Sequence, residues 1–376
     1  MVNLDLKNVS GQHLALFVST MRGGGAEKAM VNLARGLVNR GLRVDLILME
    51  KDGPYLTLIP PEVRVIDLAD SSQSVASVLP LRRYLRRERP AALIVALKHP
   101  CMVALLAKRL GIGDTRIVTT LHGNLWKDDK RYANRFGRRV MYPWADEITA
   151  VSAGVADDFS QFSWLPRERL KVIYNPIVSP ELRQKASEAV DHKWFQQKEI
   201  PVILSVGRLS KEKDYGTLIR AFALVRKNMP AHLLILGEGP ERKSMEALVA
   251  ELGLQESIRI PGFIDNPYAY MSKAALFVLS STSEGLPNVI IEALAVGAPV
   301  VSTDCKSGPR EILDNGKYGT LVSVGDTKAL AAAIEKQLAT SHDKEFLMAR
   351  ADEFSIEKIT DQFLEAAGLA NATDAS

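Results

Sequence analysis

The sequence is poor in cysteine and in long apolar runs, and each shortage excludes a class of protein. Its 376 residues include only Cys101 and Cys305, far apart in the chain, so neither a disulfide framework nor a thiolate metal site is predicted. No apolar run reaches the roughly 20 residues that a membrane-spanning helix requires. The first residues, MVNLDLKNVSGQH, are polar and partly acidic, so we predict neither a signal peptide nor an anchor and expect a cytoplasmic protein.

Two common ligand signatures are also missing. The sequence has no Asp-x-Asp stretch, the obvious ligand for a magnesium–diphosphate pair. The stretch Gly237-Glu238-Gly239 departs from the dinucleotide pattern G-x-G-x-x-G because Arg242 stands where the third small residue belongs. Hydride transfer is therefore disfavoured, and we expect neither a metal nor a cofactor.

The chain is long enough for two domains, and its charge is divided unevenly between its halves. Hydrophobic residues make up 47% of the sequence, which is sufficient to bury sizeable cores. Residues 1–178 contain 26 Lys and Arg against 17 Asp and Glu, whereas residues 179–376 contain 22 against 27. The first half should thus face an anionic partner, and composition alone leaves membrane headgroups, a phospholipid-linked acceptor and nucleic acid open.

Residues 275–304, ALFVLSSTSEGLPNVIIEALAVGAPVVSTD, have the pattern of one αβ unit of a parallel sheet. Between two buried strands, a polar loop leads into a helix that we predict over Pro287–Val296 and that Gly297 ends. The first amides of this helix face the carboxyl end of the strand, where open α/β sheets bind ligands. Glu284 in the loop and Glu292 on the helix are candidate ligand residues, since a carboxylate accepts two hydrogen bonds from a vicinal diol.

The spacing of this glutamate pair, E-x7-E followed by Ala-Val-Gly-Ala-Pro-Val-Val, resembles the signature of the family 4 retaining glycosyltransferases, which have the GT-B fold. The resemblance implies that Glu284 holds hydroxyls of the donor sugar, that Glu292 binds the nucleotide ribose and that the amides between them approach the donor. On the residues alone, a helix-cap glutamate and a surface glutamate remain the alternative. The donor-binding set implied here is Glu284, Gly285, Leu286, Pro287, Asn288, Val289 and Glu292.

A second match follows the strand predicted at Pro201–Arg208. Gly207, Arg208 and Lys213 resemble the diphosphate clamp of the family, with Asp214 where the family usually has glycine. Two cations suit a departing nucleoside diphosphate because fixed donors offset the charge that develops on it. A merely charged loop is the alternative.

Weaker matches lie in the first half. Arg22-Gly23-Gly24-Gly25-Ala26-Glu27 looks like the loop between donor diphosphate and acceptor in glycosyltransferases that extend lipid-linked oligosaccharides, so Gly24 and Gly25 join the donor-binding set; a plain tight turn is the alternative. His122 ends a strand and resembles the family's histidine beside the anomeric centre. The catalytic set implied by the resemblance is His122, Arg208, Lys213 and Glu284.

Two basic clusters also lie in the first half. The first cluster comprises Arg82, Arg83, Arg86, Arg87 and Arg89, which we place on a helix. We predict that this cluster contacts the acceptor or the membrane, with a solvated helix face as the alternative. The second comprises Lys127, Lys130, Arg131, Arg135, Arg138 and Arg139.

Alternating strands and helices predict an α/β protein with doubly wound parallel sheets. We expect an acceptor-side domain over residues 1–178, a nucleotide-sugar domain over residues 179–353, and a last helix near 354–370 that crosses back onto the first. The polar stretch 176–200 reads as the connection. With the resemblance, this gives two Rossmann-like domains facing a cleft.

The functional prediction is a retaining, metal-independent glycosyltransferase. It would move a hexose or N-acetylhexosamine from a nucleotide sugar, with a UDP-sugar favoured, to a lipid-linked or lipopolysaccharide-type acceptor. We expect it to lie peripherally on the anionic inner face of the cytoplasmic membrane and to bind no nucleic acid. The alternatives are a non-hydrolysing sugar-nucleotide epimerase and a non-enzymatic module that binds a nucleotide sugar or a lipid surface.

Overall fold

The chain folds into two compact α/β units. The structure, a computed structural model, describes residues 10–68, 76–123, 139–163, 165–196 and 199–369. The first unit is formed by Met1–Ile177 together with Ile356–Ser376, and the second by Val178–Ser355. Each contains a parallel sheet interleaved with helices, which confirms the predicted fold class.

The strands of the described residues fall into one sheet per unit. In the first unit they are β1 His13–Val18, β2 Arg43–Leu48, β3 Arg64–Asp67, β4 Ala92–Ala96, β5 Arg116–Leu121, β6 Glu147–Ala150 and β7 Leu170–Val172. In the second unit they are β8 Val202–Val206, β9 His232–Leu236, β10 Ile258–Gly262, β11 Leu276–Leu279, β12 Val300–Thr303 and β13 Thr320–Val322.

The α-helices of the described residues connect these strands. They are α1 Gly25–Asn39, α2 Val78–Glu88, α3 Lys98–Arg109, α4 Ala153–Ser163, α5 Pro180–Ala186, α6 Lys193–Gln196, α7 Tyr215–Asn228, α8 Arg242–Glu251, α9 Pro267–Lys273, α10 Asn288–Ala295, α11 Pro309–Ile312, α12 Thr327–Leu338, α13 Lys344–Ala351 and α14 Ile356–Ala366. No helix among the described residues is both long and apolar enough to cross a bilayer.

Strand order determines where each sheet can bind a ligand. The first sheet runs β3-β2-β1-β4-β5-β6-β7 and the second β10-β9-β8-β11-β12-β13. The order therefore reverses between β1 and β4 and between β8 and β11. These central strands are almost wholly buried apolar runs, as expected for parallel strands covered on both faces. Loops leaving their carboxyl ends diverge and open a crevice, the usual ligand position in such sheets.

The structure corrects several predicted boundaries. The polar stretch 176–200 is not a plain connection, because it contains α5 and α6, whose Leu182 and Trp194 are buried. The strand β13 was not predicted, since three residues are too few to show a period of two. Helix α1 starts at Gly25, three residues earlier than the polar loop suggested. Arg89 is not helical: it follows α2 in a left-handed conformation, with φ 46°.

Asp214 accounts for the departure from the family's glycine. Its backbone is left-handed, with φ 45° and ψ 49°, a conformation that glycine adopts freely and aspartate tolerates better than most residues. The same side chain caps α7: Oδ1 accepts a hydrogen bond from the Thr217 amide at 3.3 Å and Oδ2 one from the Thr217 hydroxyl at 2.7 Å. Aspartate thus meets the backbone requirement and adds a helix cap that glycine lacks.

The last helix closes the first unit against α1. A Cβ at Gly36 would lie 2.0 Å from Thr360 Oγ1 and 2.9 Å from Ile356 Cγ2, so the two helices approach too closely for any side chain there. At the end of α1, Arg40 Nη2 bonds Asp361 Oδ1 at 2.7 Å. Both residues of this pair are only about one quarter exposed or less. The C-terminal helix is therefore an integral part of the first unit.

We expect Gly36→Ala to destabilise the protein by about 1–3 kcal/mol, the usual cost of overpacking, although alanine alone favours a helix by about 1 kcal/mol. The double variant Gly36→Ala with Thr360→Ala should recover part of the loss, because it removes the hydroxyl nearest the new methyl group. Chemical denaturation measures both. A single variant as stable as wild type would contradict the close packing.

Candidate active site

An ion pair joins the two loops at the switch point of the second sheet. Lys213, after β8, places Nζ 2.6 Å from Oε1 of Glu284, which follows β11. The same oxygen accepts a hydrogen bond of 2.6 Å from the Ser281 hydroxyl. The Lys213 and Glu284 side chains are 18% and 12% exposed, so the pair is largely removed from water but remains open to a ligand. The structure thus brings together two predicted site residues that are distant in sequence.

Two hydrogen bonds to main-chain carbonyls fix these two loops to each other. The Ser280 hydroxyl donates to the Lys213 carbonyl at 2.8 Å, and the Thr282 amide donates to the Glu212 carbonyl at 2.8 Å. The loop that carries Glu284 is therefore held against the backbone of the loop that carries Lys213. Such preorganisation suits a site that must stabilise developing charge without rearranging.

Tyr215 and Ser281 are members of this site that sequence analysis missed. Tyr215 begins α7 and is buried, and a Cβ at Gly207 would lie only 3.0 Å from its hydroxyl. Gly207 is thus needed partly for the space that Tyr215 occupies. Burial raises the pKa of Tyr215, with a further contribution from the charge of Glu284, so the phenol stays protonated. The only signal in the sequence was position, since Ser281 lies three residues before Glu284 and Tyr215 lies two residues after Lys213.

The glycine pair near β9 serves packing. A Cβ at Gly237 would lie 1.9 Å from the Gly207 carbonyl oxygen, and one at Gly239 would lie 2.3 Å from that of Leu209. These glycines let the loop after β9 lie directly against the loop that carries Arg208. The resemblance to a dinucleotide fingerprint is therefore accidental.

The donor loop leads into α10 close to where it was predicted. The helix begins at Asn288 with Pro287 as its cap residue, and Gly297, with φ 74°, follows its end. Proline offers no capping side chain, but the Pro287 carbonyl accepts a hydrogen bond from the Ile290 amide at 3.0 Å. Glu292 lies one turn along this helix and is 3% exposed.

Gly308 shapes the donor loop from the other side. A Cβ at this position would lie 2.4 Å from Pro287 Cδ and 3.2 Å from the Gly285 carbonyl oxygen. Its φ of 93° is also one that other residues rarely adopt. The Ser307-Gly308-Pro309 stretch is thus packed against Gly285–Pro287.

Arg208 stands apart from the ion pair. It follows Gly207 at the carboxyl end of β8 and its side chain is exposed, whereas Lys213 is drawn toward Glu284. Because Lys213 is paired with Glu284, Arg208 is the exposed cation of the predicted clamp that is open to a ligand. A guanidinium there can form a two-pronged contact with a diphosphate.

Both cysteines are free and buried, as the sequence predicted. Burial raises the pKa of the Cys305 thiol to about 12, and the nearby Glu284 carboxylate raises it further. Burial likewise raises the pKa of Cys101 to about 12. Neither thiol is thus a nucleophile near neutral pH. Among the described residues, no group of three or more His, Cys, Asp or Glu could hold a metal ion.

The switch point of the first sheet lies where β1 and β4 end. Gly24 caps α1 in an extended conformation without a side-chain hydrogen bond, and Gly25 is the first residue of that helix. Arg22 in the same loop pairs with Glu50 and Asp52, so its charge is locally compensated. The glycine loop itself is covered by the Glu27 carboxylate, since a Cβ at Gly24 would lie 2.3 Å from Glu27 Oε2.

Leu97, at the end of β4, has a strained backbone that no sequence pattern indicated. Its φ of 73° and ψ of 155° are rare for a residue with a branched side chain. Strain of this kind persists only where the surrounding structure imposes it, and it concentrates at functional sites. Leu97 therefore marks this edge of the first sheet as a candidate site together with the glycine loop.

His122 directly follows β5, the neighbour of β4 in the same sheet. The residue is partly exposed, but its Nε2 is buried and has no hydrogen-bond partner among the described residues. Burial lowers the pKa of His122 to about 4, so the ring is neutral near pH 7. A neutral imidazole with an unpaired nitrogen can donate to or accept from a hydroxyl group.

The structure describes all of the first predicted basic cluster but only one residue of the second. Arg82, Arg83, Arg86 and Arg87 lie on α2 as expected, whereas Arg89 lies beyond its end. Most of the second cluster, residues 127–138, falls outside the described residues, and only its last member, Arg139, is described as exposed.

Comparison with known proteins agrees with this geometry. The family description "Glycosyltransferase Family 4" matches residues 23–179, and "Glycosyl transferases group 1" matches residues 187–353. The N-acetylgalactosamine-N,N'-diacetylbacillosaminyl-diphospho-undecaprenol 4-alpha-N-acetylgalactosaminyltransferase of Campylobacter jejuni is 33% identical over 342 residues, covering 87% of this chain and 90% of that protein. The lipopolysaccharide core biosynthesis glycosyltransferase LpsE of Rhizobium meliloti is 29% identical over 358 residues, covering 91% and 95%.

Solved structures show the same fold. A glycosyltransferase from Rickettsia africae superposes with a TM-score of 0.82 at 18% identity, covering 97% of this chain and all of that one. Anabaena HepE in complex with UDP superposes with a TM-score of 0.77 at 23% identity, covering 95% and 99%. The two parallel sheets, the match along nearly the whole chain and the 33% identity to a named transferase together place the chain among the family 4 glycosyltransferases, enzymes with the GT-B fold.

Proposed function

We propose that the protein is a retaining transferase that moves a hexose or N-acetylhexosamine from a nucleotide sugar to a lipid-linked or lipopolysaccharide-type glycan. The observation that carries the proposal is the Lys213–Glu284 pair at the switch point of the second sheet. The acceptor class rests on similar proteins, one named for an undecaprenol-linked acceptor and another for lipopolysaccharide core biosynthesis. A UDP-sugar is the favoured donor, in keeping with the UDP bound to the similar HepE.

Residue roles follow from the chemistry of the leaving group. The diphosphate gains charge as the sugar leaves, and Arg208, Lys213 and the amides at the start of α10 are placed to stabilise it. Glu284, which Lys213 and Ser281 hold in place, binds hydroxyls of the donor sugar. Glu292 binds the ribose, and neutral His122 holds the sugar.

Front-face attack is the mechanism we propose. The acceptor hydroxyl approaches on the side of the leaving group, and a diphosphate oxygen takes its proton as the new bond forms. No side-chain nucleophile and no metal are then required, because the fixed cations offset the developing charge. Membrane contact through the arginines of α2 would keep the enzyme near a lipid-linked acceptor at the inner face of the cytoplasmic membrane.

A nucleotide-sugar panel with and without a short soluble acceptor tests the central proposal. We expect nucleoside diphosphate and an elongated, α-configured acceptor only when both substrates are present. Release of an isomerised donor without acceptor would point to an epimerase instead. If the protein bound a nucleotide but turned over no nucleotide sugar of the panel, the result would indicate a non-enzymatic binding module.

We predict that Glu284→Gln chiefly lowers kcat, whereas Glu292→Gln chiefly weakens nucleoside diphosphate binding. One carboxylate is placed for the reacting sugar and the other for the ribose, and loss of a charge-assisted hydrogen bond costs about 1.5–3 kcal/mol, or about 10- to 150-fold. Kinetics and calorimetric titration separate the two effects. Glu251→Gln, an exposed glutamate of α8, is the control. Wild-type constants for both variants would refute the assignment.

Activity should persist with EDTA but not without Arg208. Because the fixed cations replace a metal, chelation should leave the rate unchanged. Arg208→Ala should lower kcat more than it raises the acceptor KM, because the negative charge on the leaving diphosphate grows toward the transition state. Arg208→Lys should fall between, since it keeps the charge and loses the fork. Removal of the exposed Lys227 is the control for net charge. Complete loss of activity with EDTA, restored by a divalent metal, would overturn metal independence.

His122 should titrate near pH 4 in the folded protein, below the usual 6.5, because burial disfavours its protonated form. Between pH 6.5 and pH 4 the unfolded chain binds a proton at His122 more readily than the folded protein does. The contribution of His122 to folding stability is therefore complete above the unfolded pKa and is lost as the pH drops from 6.5 toward 4. NMR of carbon-labelled histidine measures the midpoint, with His122→Gln identifying the signal. A midpoint near 6.5 would show that the ring is solvated and weaken its proposed role.

A further inference from the structure

Tyr215 and the Lys213 side chain face the same glycine. A Cβ at Gly207 would lie 3.0 Å from the Tyr215 hydroxyl, 3.6 Å from Lys213 Cε and 3.9 Å from Lys213 Cδ. Burial raises the pKa of Tyr215, and the charge of Glu284 raises it further, so the phenol is a neutral neighbour of the ion pair. The stem of the lysine therefore runs past a buried, uncharged hydroxyl.

The phenol of Tyr215 is anchored to the central strands of the second sheet. The residue is 4% exposed, and its hydroxyl forms a hydrogen bond with Ser205 of β8. The Ser205 hydroxyl donates to the Val278 carbonyl of β11 at 2.7 Å, which leaves its oxygen to accept a hydrogen bond from the phenol. Because β8 and β11 are neighbours at the reversal of strand order, the position of the phenol is set by the sheet and not by the loop that carries Lys213.

Lys213 needs such a support because a lysine stem is flexible. Its ammonium is a point charge, so the surroundings decide where that charge lies. Glu284 holds the ammonium, with Nζ 2.6 Å from Oε1. In the proposed reaction the same carboxylate also binds hydroxyls of the donor sugar, which compete with the ammonium for its oxygens. A support for the stem that no ligand displaces would keep the charge in place, and the anchored phenol beside Gly207 offers one.

We propose that Tyr215 is a positioning residue for the transfer reaction, because its anchored phenol confines the Lys213 stem over Gly207 and keeps the ammonium at the leaving diphosphate. The inference rests on the proposed function, which assigns Lys213 to that diphosphate. Tyr215 acts through the lysine and need not touch a substrate. Gly207 is required in this arrangement because any side chain there would press on the hydroxyl 3.0 Å away.

A tyrosine that served only the hydrophobic core would behave differently. Tyr215 does pack into the core of the second unit, together with Leu209, Leu218 and Ile219. Phenylalanine preserves that packing and removes only the hydroxyl that meets Gly207. A purely structural residue would therefore change the free energy of unfolding alone, whereas a positioning residue changes diphosphate affinity and kcat in a folded protein.

A double-mutant cycle on the full chain tests whether Tyr215 acts through Lys213. Calorimetric titration with the diphosphates of uridine, adenosine and guanosine identifies the nucleotide that wild type binds, and this nucleotide is then titrated into Tyr215→Phe, Lys213→Ala and the double variant. We expect Tyr215→Phe to weaken diphosphate binding about 2- to 10-fold, as for loss of a neutral hydrogen bond, and to lower kcat. In the Lys213→Ala background the same change should have no effect, because there is no stem left to confine.

Gly207→Ala supplies a second readout with the opposite sign. Its new methyl group would press on the Tyr215 hydroxyl and should weaken diphosphate binding. Adding Tyr215→Phe removes that hydroxyl and leaves Lys213 Cε, at 3.6 Å, as the nearest neighbour, which is an ordinary contact distance. The double variant should therefore bind the diphosphate more tightly than Gly207→Ala alone, although Tyr215→Phe weakens binding in the wild-type background.

Tyr270→Phe is the matched control, since it removes the hydroxyl of a partly exposed tyrosine of α9 in the same unit. It should bind the diphosphate like wild type, and thermal unfolding should show that every variant is folded. Tyr215→Phe with wild-type affinity and kcat, or with an equal loss of affinity in the Lys213→Ala background, would overturn the positioning role. A wild-type protein that binds the diphosphate but transfers no sugar would count against the proposed function alone, because the titrations do not depend on turnover.

Discussion

The contact between Lys213 and Glu284 is the constraint on which the second unit's site depends. It unites two loops that leave neighbouring strands at a reversal of strand order, and the hydrogen bonds around it hold those loops in register. A carboxylate kept beside an ammonium is ready to accept hydroxyl donors while the pair as a whole stays neutral. Arg208, the exposed cation that follows β8, adds positive charge beside the pair in sequence. The same contact therefore fixes the positions of the two loops and neutralises the charges of Lys213 and Glu284.

Much of this fold could be read from the sequence because its strong elements are long or wholly apolar. The central strands, the helix after Glu284 and the last helix carry periodic apolar residues, and their existence was predicted, with boundary errors of a few residues at most. The failures have physical causes. The three residues of β13 are too few to show a pattern, and the helices within 176–200 were hidden by polar surface residues around the buried Leu182 and Trp194.

The site divides in the same way. Glu284 was found because it lies in a polar loop between two buried strands, and Arg208 and Lys213 were found because their loop resembles the diphosphate clamp of the family. Tyr215 and Ser281 were not, since a buried tyrosine and a loop serine are ordinary in sequence and gain importance only from the neighbours that the fold supplies. The strain at Leu97, and the His122 nitrogen that has no partner within the described part of the chain, are properties of three-dimensional geometry that the sequence pattern does not show.

The return of α14 to the first unit has a consequence for how the protein is made. The second unit, Val178–Ser355, is an insertion within the first, and the residues that complete the packing around Gly36 leave the ribosome only after the whole second unit. The N-terminal part of the first unit therefore emerges early, but the face of α1 around Gly36 stays uncovered while the second unit is synthesised and folds as a continuous segment. Loop closure over so long an insertion is slow. The first unit can therefore complete its packing only after the second unit has been made, although it begins to be made first.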